Sequence, residues 1–166
     1  MLLGERLDLG ELAREQGASR ASIHRWFGTR ETILDGILGD IAAEIAARAG
    51  SDARGEGDER ACDFTRRLIA LTYALPAMTA LVENEPEVAM RLALRRTGAI
   101  HRSVSAALTD LLREVRPPSR VPAAEKIDLI VQAATGLVWA SQMIGEGPRP
   151  EEAVATVRAL LADDAG

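Results

Sequence analysis

The run Gly17-Ala18-Ser19-Arg20-Ala21-Ser22-Ile23-His24-Arg25-Trp26-Phe27-Gly28-Thr29-Arg30-Glu31 alternates helix stops with helix starts. Gly17 tolerates the positive φ of a tight turn and Ser19 offers a hydroxyl N-cap, so a helix is expected from about Arg20. Gly28 ends it. Thr29 is the next N-cap, and Glu31 in the following first turn suits the helix dipole. Ile23 and Phe27 lie four apart and should pack inward. Upstream, Asp8 and Glu11 have capping-box spacing, and Leu7 and Leu12 that of a hydrophobic staple, so an earlier helix should run from Asp8 to Gly17. Two short helices joined by a glycine turn describe a helix-turn-helix, whose second helix can enter a major groove about 12 Å wide.

The charge distribution agrees with that reading only locally. The chain of 166 residues has a net charge of −5, which by itself argues against binding phosphates. From Ser19 to Arg30, however, Arg20, Arg25 and Arg30 stand without an acidic residue, a basic island in an acidic protein. Apolar residues make up 47% and aromatics only 3%, a balance that points to an all-α protein. No apolar run is long enough for a bilayer span and no signal-peptide pattern opens the chain, so a cytoplasmic protein without membrane contact is expected. The single Cys62 excludes an intramolecular disulfide and reads as a small core residue. No phosphate-binding glycine loop, metal-ligand cluster or nucleophile–base pair is evident, so no cofactor, metal or enzymatic activity is expected. Glu83, Glu85 and Glu87 read as a solvated acidic turn.

The quoted run resembles the signature of the TetR/AcrR family of transcriptional regulators. Gly17 and Ser19 match its turn, Ser22 stands for a threonine, Ile23 for a buried leucine, His24 for a tyrosine and Trp26-Phe27 for an aromatic pair; Thr29 and Arg30 open the next helix as the family does. Ala18, His24 and Trp26 depart from the usual residues. The resemblance implies a helix-turn-helix DNA-binding domain over residues 1–48, with a truncated first helix, and a helical effector-binding and dimerisation domain over 49–166. Ser19, Arg20, Ser22, His24, Arg25 and Trp26 would then face base edges and phosphates, and Thr29 and Arg30 a phosphate at a helix N-terminus.

The expected function is a ligand-responsive repressor that binds a palindromic double-stranded DNA operator as a homodimer and is released by a small apolar effector. The alternative is a helical ligand-binding dimer whose DNA binding is impaired by the shortened first helix. Leu3-Gly4-Glu5-Arg6-Leu7-Asp8-Leu9 and Arg25 to Glu31 also resemble the QsdR-type branch, associated with lactone-signal degradation, which would make the effector a lactone.

Beyond Thr29, an apolar stripe of Ile33, Leu34, Ile37, Leu38, Ile41 and Ile45 predicts a helix of about 20 residues, roughly 30 Å long. Gly50 to Asp58 reads as a flexible loop. Proline-punctuated helices are expected near Glu59–Tyr73, Ala77–Asn84, Pro86–Arg95, Gly98–Arg116, Ala123–Ile144 and Pro150–Asp163. Ile127, Ile130, Val131, Ala134, Leu137 and Val138 form one heptad-like seam, and Val154, Val157 and Leu161 another. The resemblance implies that these seams meet their copies in a dimer. Phe64, Leu68, Tyr73, Met78, Met90, Leu94, His101 and Trp139 are the candidates to line an effector pocket.

Overall fold

The Thr29 hydroxyl accepts from the Thr32 amide at 3.1 Å and starts the longest helix of the protein. The computed structural model describes residues 14–15, 17, 19, 21–22, 25 and 28–162. Among the described residues the regular elements are all helical: α1 (Arg30–Asp52), α2 (Asp58–Tyr73), α3 (Pro76–Asn84), α4 (Pro86–Leu94), α5 (Ala99–Val115), a 3-10 turn (Pro118–Arg120), α6 (Ala124–Met143) and α7 (Pro150–Ala162). Pro76, Pro86 and Pro150 each begin a helix, where a missing amide costs nothing. None of these helices is long and apolar enough to cross a membrane.

The long helix α1 is the spine. It packs along α5 and α2; α2 lies on α7, and α6 is bedded against α5, α7 and α4. Two adjoining apolar clusters result. One joins Ala46 and Ala49 of α1 to Phe64, Leu112, Ile127, Ile130 and Leu161, and the other joins Leu34 and Leu38 to Met78, Leu92 and Trp139. Where α1 crosses α5 the backbones are close: a Cβ on Gly39 would lie 2.3 Å from the Ala99 Cβ. The Ser103 hydroxyl donates to the Gly39 carbonyl there, at 3.1 Å. Both carboxylate oxygens of Asp35 accept from the Ala99 amide at 3.2 Å, so the α5 N-terminus is capped by a side chain from α1, where Gly98 has none to offer.

One expectation changes. The flexible loop over Gly50–Asp58 contracts to residues 53–57, because Gly50 to Asp52 continue α1. Ala53 is buried, and the Arg54 amide donates to Asp63 at 2.8 Å, so the connection is anchored despite the positive φ of Gly55 and Gly57. The position 48/49 lies within α1, which packs along α5 and α2.

Candidate functional site

The described part of the helix-turn-helix segment follows the expected cap-and-turn order. Arg14 and Glu15 are helical, the Gly17 amide donates to the Arg14 carbonyl at 3.2 Å, and Gly17 takes φ +62°. Ser19 then accepts from the Ser22 amide at 3.0 Å, the bond of an N-cap, and Ala21, Ser22 and Arg25 are helical. Gly28, at φ +79°, separates this turn of helix from α1. Ser19 and Arg25 are exposed and Ser22 half-buried. Arg20, His24 and Trp26, also expected at DNA, lie outside the described residues.

The first turn of α1 is pinned by ions. Arg30 forks onto Glu85, with Nη1 to Oε2 at 2.8 Å and Nη2 to Oε1 at 2.5 Å, and both side chains are mostly covered, at 24% and 15% exposure. Glu31 accepts from Arg95 at 2.5 Å and has Arg91 at 3.5 Å. Glu85 caps α3 and precedes α4, so this pair ties the end of the helix-turn-helix segment to the join of two helices in the larger lobe. One assignment is thereby corrected: Glu85 is part of a bidentate pair, not a solvated turn. Arg30, expected at a phosphate, meets that carboxylate in this DNA-free structure. Thr29 remains exposed, with its oxygen acting as the cap of α1.

Further along, α1 forms one wall of an apolar cavity of about 100 Å³. Leu38, Ile41 and Ile45 line it from α1, Phe64 and Leu68 from α2, and Met78 from α3; α5, α6 and α7 contribute the remaining walls, including Val104, Trp139 and Val157. The lining side chains carry no charge, and their polar groups are the hydroxyls of Thr65, Thr72 and Thr135 and the indole N–H of Trp139. Such a chamber admits a neutral, hydrocarbon-rich molecule. Among the described residues no group of three or more His, Cys, Asp or Glu is placed to hold a metal.

A family model for the tetracyclin repressor-like C-terminal domain matches residues 56–162, which is most of the chain. The chain belongs to this family of transcriptional regulators. No curated protein sequence matches it. Two solved structures share its fold. The TetR-family transcriptional repressor QsdR of R. erythropolis superposes with a TM-score of 0.87 at 24% identity, over 97% of this chain and 87% of that one. The TetR-family repressor AlkX of a Dietzia strain, implicated in n-alkane biodegradation, gives a TM-score of 0.62 at 16% identity, over 99% and 89%.

For this TetR-family chain, the expected pocket residues divide. Phe64, Leu68, Met78 and Trp139 line the cavity. Tyr73, Met90, Leu94 and His101 do not, and each has a physical reason. Tyr73 donates its hydroxyl to the Val138 carbonyl at 3.0 Å and packs with Ile69 and Ala153; burial raises its pKa. Met90 is 37% exposed and forms a surface hollow with Leu94, Arg91 and Arg95. His101 is buried but points to Asp128, with Nε2 and Oδ1 3.1 Å apart. That hydrogen bond, with Arg96 adding at 3.5 Å and burial opposing, holds the Asp128 carboxyl below the usual carboxylate range.

The residues of the expected dimer seam are largely covered within one chain. Ile127, Ile130, Val131 and Val138 of α6, and Val154, Val157 and Leu161 of α7, are all buried within the single chain. Ile130, Val131, Ala134, Val138 and Val157 are in fact cavity wall, and only Leu137 and Ala134 keep partial exposure. Heptad spacing marks a buried face but not the partner that buries it. The cavity residues of α1 were visible as an apolar stripe; what sequence did not reveal is that this stripe faces α6 across a gap.

Proposed function

We propose that this TetR-family regulator is a repressor that binds a palindromic operator as a homodimer and is released by a small, uncharged effector held in the cavity. It is a binding protein acting in the cytoplasm, without a catalytic step. One observation carries the reading: the helix that walls the cavity begins at the last turn of the DNA-reading segment, and its first turn is clamped to the cavity lobe through Arg30 and Glu85. An occupant pressing on Leu38, Ile41 or Ile45 displaces α1 directly. One pressing on Met78 moves α3, which ends at Glu85 and so pulls on Arg30. Release requires that the effector prefer the displaced state. A lactone, the effector class implied by the sequence resemblance, meets the requirement for a neutral molecule.

DNA contacts are assigned to Ser19, Arg20, Ser22, His24, Arg25, Trp26 and the exposed Thr29. For the dimer, the outward face of the last two helices replaces the buried seam. Leu129 is 54% exposed, and Ala133, Gly136 and Ala140 follow it at three- and four-residue spacing, while Ala155, Ala159 and Ala162 repeat similarly on α7. A Cβ on Gly136 would meet no atom within 4 Å, so close approach by a second helix is open there. Gly136→Arg together with Ala159→Glu should convert dimer to folded monomer in light scattering.

The test of the reading is selection of duplexes from a random library by the intact chain, followed by anisotropy titrations. A palindromic consensus, affinity falling steeply with salt and weakening by the Arg25→Ala change are expected. Failure to enrich any sequence, with binding insensitive to salt, would end it.

A further inference from the structure

The cavity wall contains three hydroxyls, and two of them already donate within the protein. Thr65 donates to the Ala61 carbonyl at 2.9 Å and Thr72 to the Leu68 carbonyl at 2.8 Å, each four residues back on α2. Thr135 is different. It lines the cavity from α6, between Val131 and Val138, and makes no hydrogen bond with any of the described residues. Thr135 is half-buried, and a hydroxyl without a partner in an apolar surrounding is unfavourable; the loss is recovered when an occupant supplies the missing acceptor or donor.

The rest of the wall defines what that occupant is. Its side chains are hydrocarbon apart from the threonines, the Met78 thioether and the indole N–H of Trp139, a donor with no acceptor role, and the nearby polar groups are engaged elsewhere: Tyr73 with the Val138 carbonyl, His101 with Asp128 and Arg102 with the Thr97 carbonyl. A carboxylate or ammonium entering the cavity would lose its hydration and find no counter-charge. The volume of about 100 Å³ is also informative, because apolar cavities on the order of 150 Å³ take a single six-membered ring. A ring-sized group therefore enters with a small outward adjustment of the wall.

From these observations we infer that Thr135 is the polar anchor of the cavity, and that the effector is an uncharged, largely hydrocarbon molecule with a carbonyl or hydroxyl group that hydrogen-bonds the Thr135 Oγ1. The inference rests on the effector-cavity reading above and narrows it to one side chain and one chemical class. The Thr135 hydroxyl is a specificity determinant: it selects among hydrocarbon-sized molecules of the same shape.

The experiment compares three probes of similar size on the intact chain by ligand-observed NMR. Cyclohexanone carries the carbonyl, methylenecyclohexane replaces its oxygen by carbon, and cyclohexanecarboxylate carries a charge. The expected result is that cyclohexanone binds about three- to tenfold more tightly than methylenecyclohexane, the range of one net hydrogen bond, with no binding of the carboxylate. In Thr135→Val, which keeps the side-chain shape, the preference should fall to about one with the hydrocarbon's affinity unchanged within about twofold. Thr135→Ser keeps the hydroxyl and should keep the preference. A preference that survives in Thr135→Val, or carboxylate binding as tight as that of the ketone, overturns the anchor. Hydrocarbon binding without any ketone preference also overturns it and leaves the cavity reading standing, whereas binding of none of the probes removes the cavity reading itself.

Discussion

The two ends of α1 are held by different forces. Its first two turns are fixed by Arg30–Glu85, Glu31–Arg95 and the Asp35 cap on α5, all directional contacts with distances of 2.5 to 3.2 Å. Its middle and last turns are held by hydrocarbon: Leu38, Ala46 and Ala49 are buried, and Ile41 and Ile45 border a gap. Polar contacts have narrow tolerances and are lost over a small displacement, whereas apolar packing beside a cavity can rearrange around a new occupant. A single helix thus carries a tolerant apolar segment and an intolerant clamp. That division is what a coupling element between an effector and the DNA-reading segment needs.

The comparison is broken most severely at the apolar end. Phe64 is 1% exposed and lies on both the core and the cavity, so Phe64→Ala should cost about 3–5 kcal/mol in urea denaturation and enlarge the cavity without touching the clamp. At the crossing between the two ends, Gly39→Ala places a methyl against the Ala99 Cβ and should destabilise by about 1–3 kcal/mol, again by denaturation. At the polar end, Glu85→Gln leaves Arg30 partly covered without its carboxylate. The expected cost is about 1–2 kcal/mol, between the values for exposed and buried pairs. The double variant Arg30→Glu with Glu85→Arg should recover part of it. If α1 is coupled as proposed, Glu85→Gln also reduces the effector's influence on operator affinity while leaving probe binding in the cavity intact; a normal response would place the coupling elsewhere.

The smallest effect concerns pH and sharpens the contrast from outside α1. Asp128 is held low by His101, and the burial of Asp63 is outweighed by its bonds from Arg67 and the Arg54 amide, so its carboxyl too lies below the usual range. Because both folded values lie below the unfolded ones, the stability they contribute is fully present above the usual carboxylate range of about 4 and is lost as pH falls through the depressed values. Melting temperature should therefore decline on acidification below about pH 4, less so in Asp128→Asn, and cavity binding of neutral probes should not change between pH 6 and pH 8 by this route. A melting temperature rising with acid over that interval would contradict the assignment.

Local chemistry was the part legible in advance. Gly17, Ser19, Gly28 and Thr29 act through their own backbone and the next turn of chain, so their turns and caps follow from residue type. The prolines that open α3, α4 and α7 are legible for the same reason. Phe64 and Trp139 were found in the pocket because large apolar side chains must be buried somewhere. Tyr73 and His101 were misplaced because a polar tip reorients a residue towards whichever distant acceptor is near, and Val138 and Asp128 are 65 and 27 residues away.

By itself, then, the sequence determined a helical chain with a capped helix-turn-helix segment followed by a long amphipathic helix and a family signature, since each of these depends on contacts within a few residues. Tertiary structure alone decided which apolar faces meet. It turned the α6–α7 seam into core and cavity wall, made Glu85 the partner of Arg30, and left Thr135 on the cavity wall without a hydrogen bond to any of the described residues. Periodicity specifies that a face is buried; only the packing of helices distant along the chain specifies against what, and where the packing stops short of contact.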